Sequence, residues 1–79
     1  MNELKEKLNE IIKTIDDLYL NTSVLEASED AELANLGIDS LGKINLFYGI
    51  IDYFEVDRDE SEAANWKTLK DVLTYIEKL

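Results

Sequence analysis

Residues 36–55 read LGIDSLGKINLFYGIIDYFE and predict a loop that passes into an unusually apolar helix. Gly37 supplies flexible backbone shortly before the helix begins. The helix is expected to run from about Ser40 to Glu55, because apolar residues recur there at helical spacing. The sequence therefore predicts a helix that begins at a serine, with Asp39 directly before it.

This helix is too apolar to serve only the core. At 3.6 residues per turn, its side chains separate into two opposite sides, and only one side can face the core of a small bundle. The predicted core side holds Leu46, Phe47, Ile50 and Phe54. The other side predicts an exposed apolar patch that binds a partner, unless the long loop before the helix folds over it. The candidate partner-binding residues are Leu41, Ile44, Asn45, Tyr48, Ile51 and Asp52.

The N-terminal segment shows the apolar stripe of a helix with one buried face. We predict a helix from about Asn2 to Leu20, ended by residues 21–23, because short polar side chains compete for the backbone. A long connection to Asp39 follows, in which residues 28–36 can form a short helical turn. The stripe consists of Leu4, Leu8, Ile11, Ile12, Ile15, Leu18 and Tyr19.

Two N-cap signatures predict the remaining helices. Asp59 with Glu62 predicts a small third helix, and Thr68 with Asp71 predicts the last one. There is no convincing strand alternation. The expected fold is all-α: a small four-helix bundle with three longer helices, one short helix and a long first loop, in a single domain of residues 1–79. The apolar residues of the last helix are Leu69, Val72, Leu73, Ile76 and Leu79.

The composition excludes several function classes. The chain has 79 residues, no cysteine and no histidine, so disulfides, ordinary zinc sites, thiol nucleophiles and histidine bases are unavailable. A formal net charge of −10, from 18 acidic and 8 basic residues, argues against nucleic acid and against an anionic membrane surface. The acidity favours partners with basic surfaces, or it serves solubility alone.

Neither a metal site nor a membrane segment is expected. The acidic run that begins at Asp57 fails as a calcium loop, because Glu62 and Thr68 stand where Gly and Glu are required. The N-terminus lacks the apolar region of a signal peptide, and no apolar run approaches the length of a membrane span. We expect a monomeric cytoplasmic protein.

Residues 39–41, DSL, match the attachment motif of acyl carrier proteins, in which the serine carries 4′-phosphopantetheine. Residues 36–38 also resemble the approach to that serine, the core side of the apolar helix resembles the family's second helix, and residues 68–76 are similar to its last helix. The resemblance implies that Ser40 bears the arm, flanked by Asp39 and Leu41. It further implies that the chain is not an enzyme and has no catalytic residues.

The same resemblance implies the cofactor and the partners. A phosphopantetheinyl transferase would take the arm from coenzyme A and supply the magnesium and the base. Acyl-loading and acyl-transfer enzymes would then use the arm's thiol, which holds the cargo as a thioester. In some members of the family the cargo lies between the helices. Here Phe47, Ile50, Ile51 and Trp66 could line such a pocket, or their bulk could fill it.

The position of Ser40 fits this chemistry on physical grounds. A helix N-terminus presents unpaired N–H groups and a partial positive charge, which favour an anion such as a phosphodiester. Capping of the helix by Asp39 or Ser40 is a simpler role for these residues and is compatible with modification. The overlapping Ser40–Lys43 pattern of penicillin-recognising enzymes lacks their further motifs and their larger scaffold.

The predicted outer side of the helix departs from the pattern of fatty-acid-type carriers, which is acidic there. The corresponding positions are Gly42, Asn45 and Ile51, with only Asp52 acidic. We therefore expect a specialised fatty acid, lipid or polyketide-type pathway, with partners bound more by apolar contact than by charge. An aminoacyl or peptidyl carrier and an unmodified helical interaction module are the alternatives.

Overall fold

Three α-helices form the body of the part of the chain that the structure describes. The structure, a computed structural model, describes residues 2–16 and 18–79. The helices are α1 (Asn2–Lys13), α2 (Ser40–Phe54) and α3 (Leu69–Glu77). Their apolar sides meet in one core, to which the long loop also contributes side chains. The predicted small helical bundle is confirmed.

The boundaries of α2 agree with the prediction. Asp39 has extended backbone, and its Oδ1 accepts a hydrogen bond of 2.7 Å from the N–H of Gly42, which caps the helix. The helix ends at Phe54, since Glu55 adopts the left-handed conformation with φ 54°. Leu46, like its neighbour Phe47, is fully buried on the predicted core side.

The prediction that the first helix continues to Leu20 is wrong, because α1 ends at Lys13. Beyond this point the Thr14 N–H bonds the carbonyl three residues earlier, at Ile11, which tightens the last turn. The Thr14 hydroxyl donates to the same carbonyl at 2.6 Å and so competes with the backbone hydrogen bond that would continue the helix. A longer helix would also place the negative charge of Asp16 at its negative end, which is unfavourable.

Tyr19 is also misplaced by the helical pattern. The prediction places it in the buried stripe with Leu18, but its side chain is 80% exposed, whereas Leu18 is buried. Residues 14–16 and 18–20 are not helical, so the spacing of 3.6 residues per turn no longer decides which of their side chains point inward.

The long loop is bound to the beginning of α3 and leaves the predicted outer side of α2 uncovered, where Leu41 and Tyr48 are exposed. The Leu33 N–H donates to the Lys67 carbonyl, and the Leu69 N–H donates to the Ala31 carbonyl, each at 2.9 Å. The predicted helical turn is a 3₁₀ turn at Leu33–Leu36. Buried side chains hold the loop to the core, namely Val24, Ala27, Leu33, Leu36 and Ile38.

The predicted small third helix is a 3₁₀ helix at Glu60–Asn65, hereafter the short helix. Its N-cap is Asp59, as predicted, although the carboxylate accepts from the N–H of Ser61 rather than from that of Glu62. That hydrogen bond holds the pKa of Asp59 below its ordinary value.

No helix among residues 2–16 and 18–79 combines the length and apolar character needed to span a membrane.

The predicted capping box of α3 is confirmed. The Thr68 hydroxyl accepts from the N–H of Asp71 at 3.4 Å, and the Asp71 carboxylate accepts from the N–H of Thr68 at 3.1 Å. The same carboxylate accepts from the N–H of Lys67 at 2.8 Å. Both backbone donors bond the ionised carboxylate, so they hold the pKa of Asp71 below its ordinary value, with Lys67 as the larger cause.

This cap predicts a specific acid dependence of stability. Because the pKa of Asp71 is lower in the folded state, its contribution is fully present above the unfolded value of about 3.9 and is lost as the pH falls through the folded pKa. We expect wild type to be more stable than Asp71→Asn near about pH 6 and this advantage to disappear near about pH 2, measured by urea unfolding. An advantage independent of pH would contradict this role.

Candidate functional site

Ser40 is exposed at the first position of α2. Gly37, with φ 95°, turns the chain just before it, and a Cβ there would be strained and within 3.3 Å of the Tyr19 carbonyl oxygen. Ile38 is buried after this turn and anchors the loop, while Asp39 and Ser40 face solvent. Asp39 provides the cap, so the Ser40 hydroxyl is not needed for it.

Removing this cap should destabilise the site measurably. Asp39→Ala leaves the Gly42 N–H without its side-chain acceptor, for which we expect a loss of about 0.5–2 kcal/mol in the free energy of unfolding. Asp39→Asn keeps an acceptor oxygen and is the matched control, expected within about 0.5 kcal/mol of wild type. Urea unfolding of the three proteins measures these losses. Equal losses in both variants would show that the hydrogen bond from Gly42 to Asp39 does not account for the stability lost in Asp39→Ala.

A groove of about 330 Å³ adjoins Ser40, between α2 and the short helix. Its floor includes the buried Ala63. The residues that line it are Ser40, Lys43, Ile44, Glu60, Ala63 and Ala64. A smaller recess of about 220 Å³ lies on the other side of Asp39, between Tyr19 and Leu41. Ser40 and its predicted flank Asp39 therefore each border an accessible recess.

The outer face of α2 is the side that the sequence predicts to bind partners. Leu41 is 66% exposed, Tyr48 45% and Ile44 38%, so the apolar patch is open to solvent. Asp52 is also exposed.

Two members of the predicted set contribute less to this face. Asn45 is half-buried, and Ile51 is half-buried against the core. The centre of the face is therefore the three exposed apolar side chains, Leu41, Ile44 and Tyr48. A recess of about 510 Å³ lies beside this face and is lined by Thr14, Ile15, Asp16, Asn45, Tyr48, Gly49, Asp52 and Tyr53.

Two tyrosine–glutamate hydrogen bonds hold the short helix in place. The Tyr48 hydroxyl of α2 donates to Glu60 at 2.8 Å, and the Tyr75 hydroxyl of α3 donates to Glu62 at 2.5 Å. The bond to Glu60 raises the pKa of Tyr48, while burial and then the bond to Glu62 raise the pKa of Tyr75 to about 12. Both phenols are therefore protonated donors at neutral pH.

Aromatic side chains fill the centre of the bundle where the sequence allowed a cargo pocket. The ring centroids of Trp66 and Tyr75 are 5.3 Å apart, and each lies 6.2 Å from that of Phe47. Phe47 and Ile50 are fully buried, and Trp66 is buried almost completely. Of the two alternatives, filling by bulky side chains is the one observed.

Sequence reasoning missed some residues of the site. Ala63 and Ala64 were predicted only as part of the short helix, because their place in the groove depends on how that helix packs on α2. Tyr19 was missed because the end of α1 was misplaced. Gly42 and Gly49 carried a usable signal: glycines seven residues apart lie on one side of a helix and indicate close packing there.

Comparisons with known proteins identify the family. The chain is 32% identical over 79 residues to an acyl carrier protein of Akkermansia muciniphila, covering 99% of this chain and 94% of that protein. It is 34% identical, with the same coverage, to an acyl carrier protein of Amoebophilus asiaticus. It is 33% identical to one of Porphyromonas gingivalis, covering 90% of this chain and 96% of that protein. No protein-family model matches the chain. Similarity at this level over nearly the whole chain, together with the helical bundle and the exposed Ser40, shows that it belongs to the acyl carrier protein family.

Proposed function

We propose that this chain carries acyl groups on a 4′-phosphopantetheine arm attached to Ser40. Members of its family are carrier proteins and not enzymes, and proteins named acyl carrier proteins match nearly its full length. The observation that carries the proposal is the exposed Ser40 at the first position of a helix whose cap is provided by Asp39. The hydroxyl is thus accessible and free for modification.

The residues around Ser40 fit the arm. The N-terminal N–H groups of α2 favour an anion at this position, and α2 is long enough, with 15 residues, for a full helix dipole. The groove beside Ser40 leaves room for a chain attached to the hydroxyl. When bound, the arm would supply a terminal thiol that holds the acyl group as a thioester.

The attachment uses one oxygen of this chain. The Ser40 oxygen forms a bond to the phosphorus next to the pantetheine of coenzyme A, and the bond from that phosphorus to the bridging pyrophosphate oxygen breaks. Adenosine 3′,5′-bisphosphate leaves, and the hydroxyl proton passes to a base of the transferase. The chain contributes the accessible hydroxyl and the positive end of α2, which stabilises the phosphodiester that is formed.

Intact mass spectrometry tests the proposal. Incubation with coenzyme A and a promiscuous phosphopantetheinyl transferase should add the mass of one phosphopantetheine to wild type and nothing to Ser40→Ala. Ser61→Ala is the matched control, because Ser61 is also an exposed serine in the first turn of a helix, and it should gain the full mass. No gain in wild type, or a gain that survives Ser40→Ala, would refute the proposal and leave an unmodified interaction module.

We further propose that the partners belong to a specialised fatty acid, lipid or polyketide-type pathway and bind the outer face of α2. The exposed apolar residues support this, since Leu41, Ile44 and Tyr48 form a continuous patch. Asp52 is the acidic residue of the face. The aminoacyl or peptidyl carrier is the alternative, in which the same arm holds an amino acid.

Apolar docking predicts a weak dependence of affinity on salt. Leu41→Ala should weaken binding of the phosphopantetheinyl transferase about tenfold, or about 1.4 kcal/mol, because it removes a side chain that the partner would cover. Leu25→Ala truncates another exposed leucine, in the long loop, and should leave the affinity unchanged. Calorimetric titration at low and high salt measures both effects. A steep loss of affinity with salt would instead indicate docking by charge.

A further inference from the structure

Buried aromatic side chains lie on the core side of the groove beside Ser40. Phe47 lies one helical turn beyond Ile44, on the side of α2 that faces the core, and is fully buried. The floor of the groove is the buried Ala63, and the next turn of the chain brings Trp66 against Phe47. A chain that entered the groove from Ser40 would therefore meet packed aromatic rings rather than an open space.

The short helix is also held against movement away from α2 and α3. Tyr48 ties Glu60 to α2 at the groove, and Tyr75 ties Glu62 to α3 behind it. Tyr75 is at the same time a member of the aromatic cluster, at 5.3 Å from Trp66. Opening a path into the core would have to break these hydrogen bonds and displace well-packed rings, which interiors at crystal-like density resist.

We infer that the cargo on the arm stays outside the bundle and that this carrier takes short or polar acyl groups. The inference rests on the proposed function of Ser40. A long alkyl chain on the arm gains stability only where apolar surface can be buried, and the core here is filled by the protein's own side chains. Short or polar groups require no such burial, and on the outside they are directly accessible to the next enzyme.

A series of cargo lengths tests the inference. Wild type is loaded by a promiscuous transferase with the acetyl-, butyryl-, hexanoyl- or octanoyl-phosphopantetheine group of the corresponding coenzyme A thioester, and the melting temperature of each product is measured. Cargo buried in the native state would stabilise it, raising the melting temperature by about 5 °C or more for each added pair of methylenes. We expect differences below about 2 °C across the series, and a steady rise with length would overturn the inference.

A second readout uses the single tryptophan of the chain. The indole N–H resonance of Trp66 should be the same in the acetyl and octanoyl forms, because the cargo does not reach the ring. A resonance that shifts progressively with cargo length would place the cargo against the cluster and contradict the inference.

Variants with smaller side chains test whether the aromatic rings are what keeps the cargo outside the bundle. In Trp66→Leu the melting temperature should rise with cargo length, because the cargo can enter the space that the indole ring leaves. The variant should still be loaded by the transferase. If Trp66→Leu does not fold, Phe47→Leu serves in its place. A series that stays flat in the folded variant would refute the role of the cluster. These outcomes are separate from the attachment itself, since a failure of the proposed function would appear earlier, as no gain in mass on loading.

Discussion

Phe47→Ala should lower the free energy of unfolding by about 3–5 kcal/mol, the range found for removal of a buried phenyl ring. Phe47 is fully buried, and its ring contacts those of Tyr48, Trp66 and Tyr75. Domains of this kind are stable by about 5–15 kcal/mol, and small ones lie toward the lower end. The variant is therefore expected to retain only a marginal native state.

Urea unfolding followed by circular dichroism measures this loss. Tyr53→Ala is the matched control, because Tyr53 is an aromatic residue of the same helix with 43% of its surface exposed. It should lose no more than about 1 kcal/mol. Equal losses in the two variants would mean that the aromatic cluster does not carry the stability of the bundle.

Gly49→Val should lower the free energy of unfolding by about 1–3 kcal/mol. A Cβ at this position would lie 2.5 Å from Cδ1 and 2.9 Å from Cγ1 of Ile15, distances at which atoms overlap. Valine is a better helix former than glycine by only a few tenths of a kcal/mol. This gain in helix propensity is too small to offset the overlap with Ile15. Gly49 thus allows the segment after α1 to pack closely on α2.

The same substitution in an Ile15→Ala background isolates the overlap. Ile15 is half-buried, and its truncation removes the two atoms that the valine would meet. The additional loss caused by Gly49→Val should fall below about 1 kcal/mol there, which a double-mutant cycle of unfolding free energies measures. An undiminished loss in the Ile15→Ala background would contradict this explanation of the glycine.

Local signals predicted much of the fold. The start of α2 follows from the cap at Asp39, and the start of α3 follows from the capping box of Thr68 and Asp71, because both depend on hydrogen bonds within one turn. The end of α1 could not be predicted in this way. The apolar pattern continues to Leu18, but that residue is buried from irregular backbone against Gly42, a contact between distant parts of the chain.

The candidate site could likewise be predicted only where it depends on local sequence. The exposure of Leu41 and Tyr48 followed from helical geometry, because one side of an apolar helix must remain outside a small bundle. Whether the loop covered that side depended on the hydrogen bonds of Leu33 and Leu69, which pair segments far apart in sequence. The groove beside Ser40 likewise requires the packing of the short helix on α2, which no local pattern encodes.

The central claim is that the arm is attached at Ser40, and tandem mass spectrometry of proteolytic fragments tests it most directly. Wild type is incubated with coenzyme A and a phosphopantetheinyl transferase, digested and fragmented. We predict that the phosphopantetheine is found on the fragment that contains Ser40 and that the fragment ions place it on this residue. An arm located on another residue such as Ser61, or no modified fragment after complete reaction of a control carrier, would contradict the account.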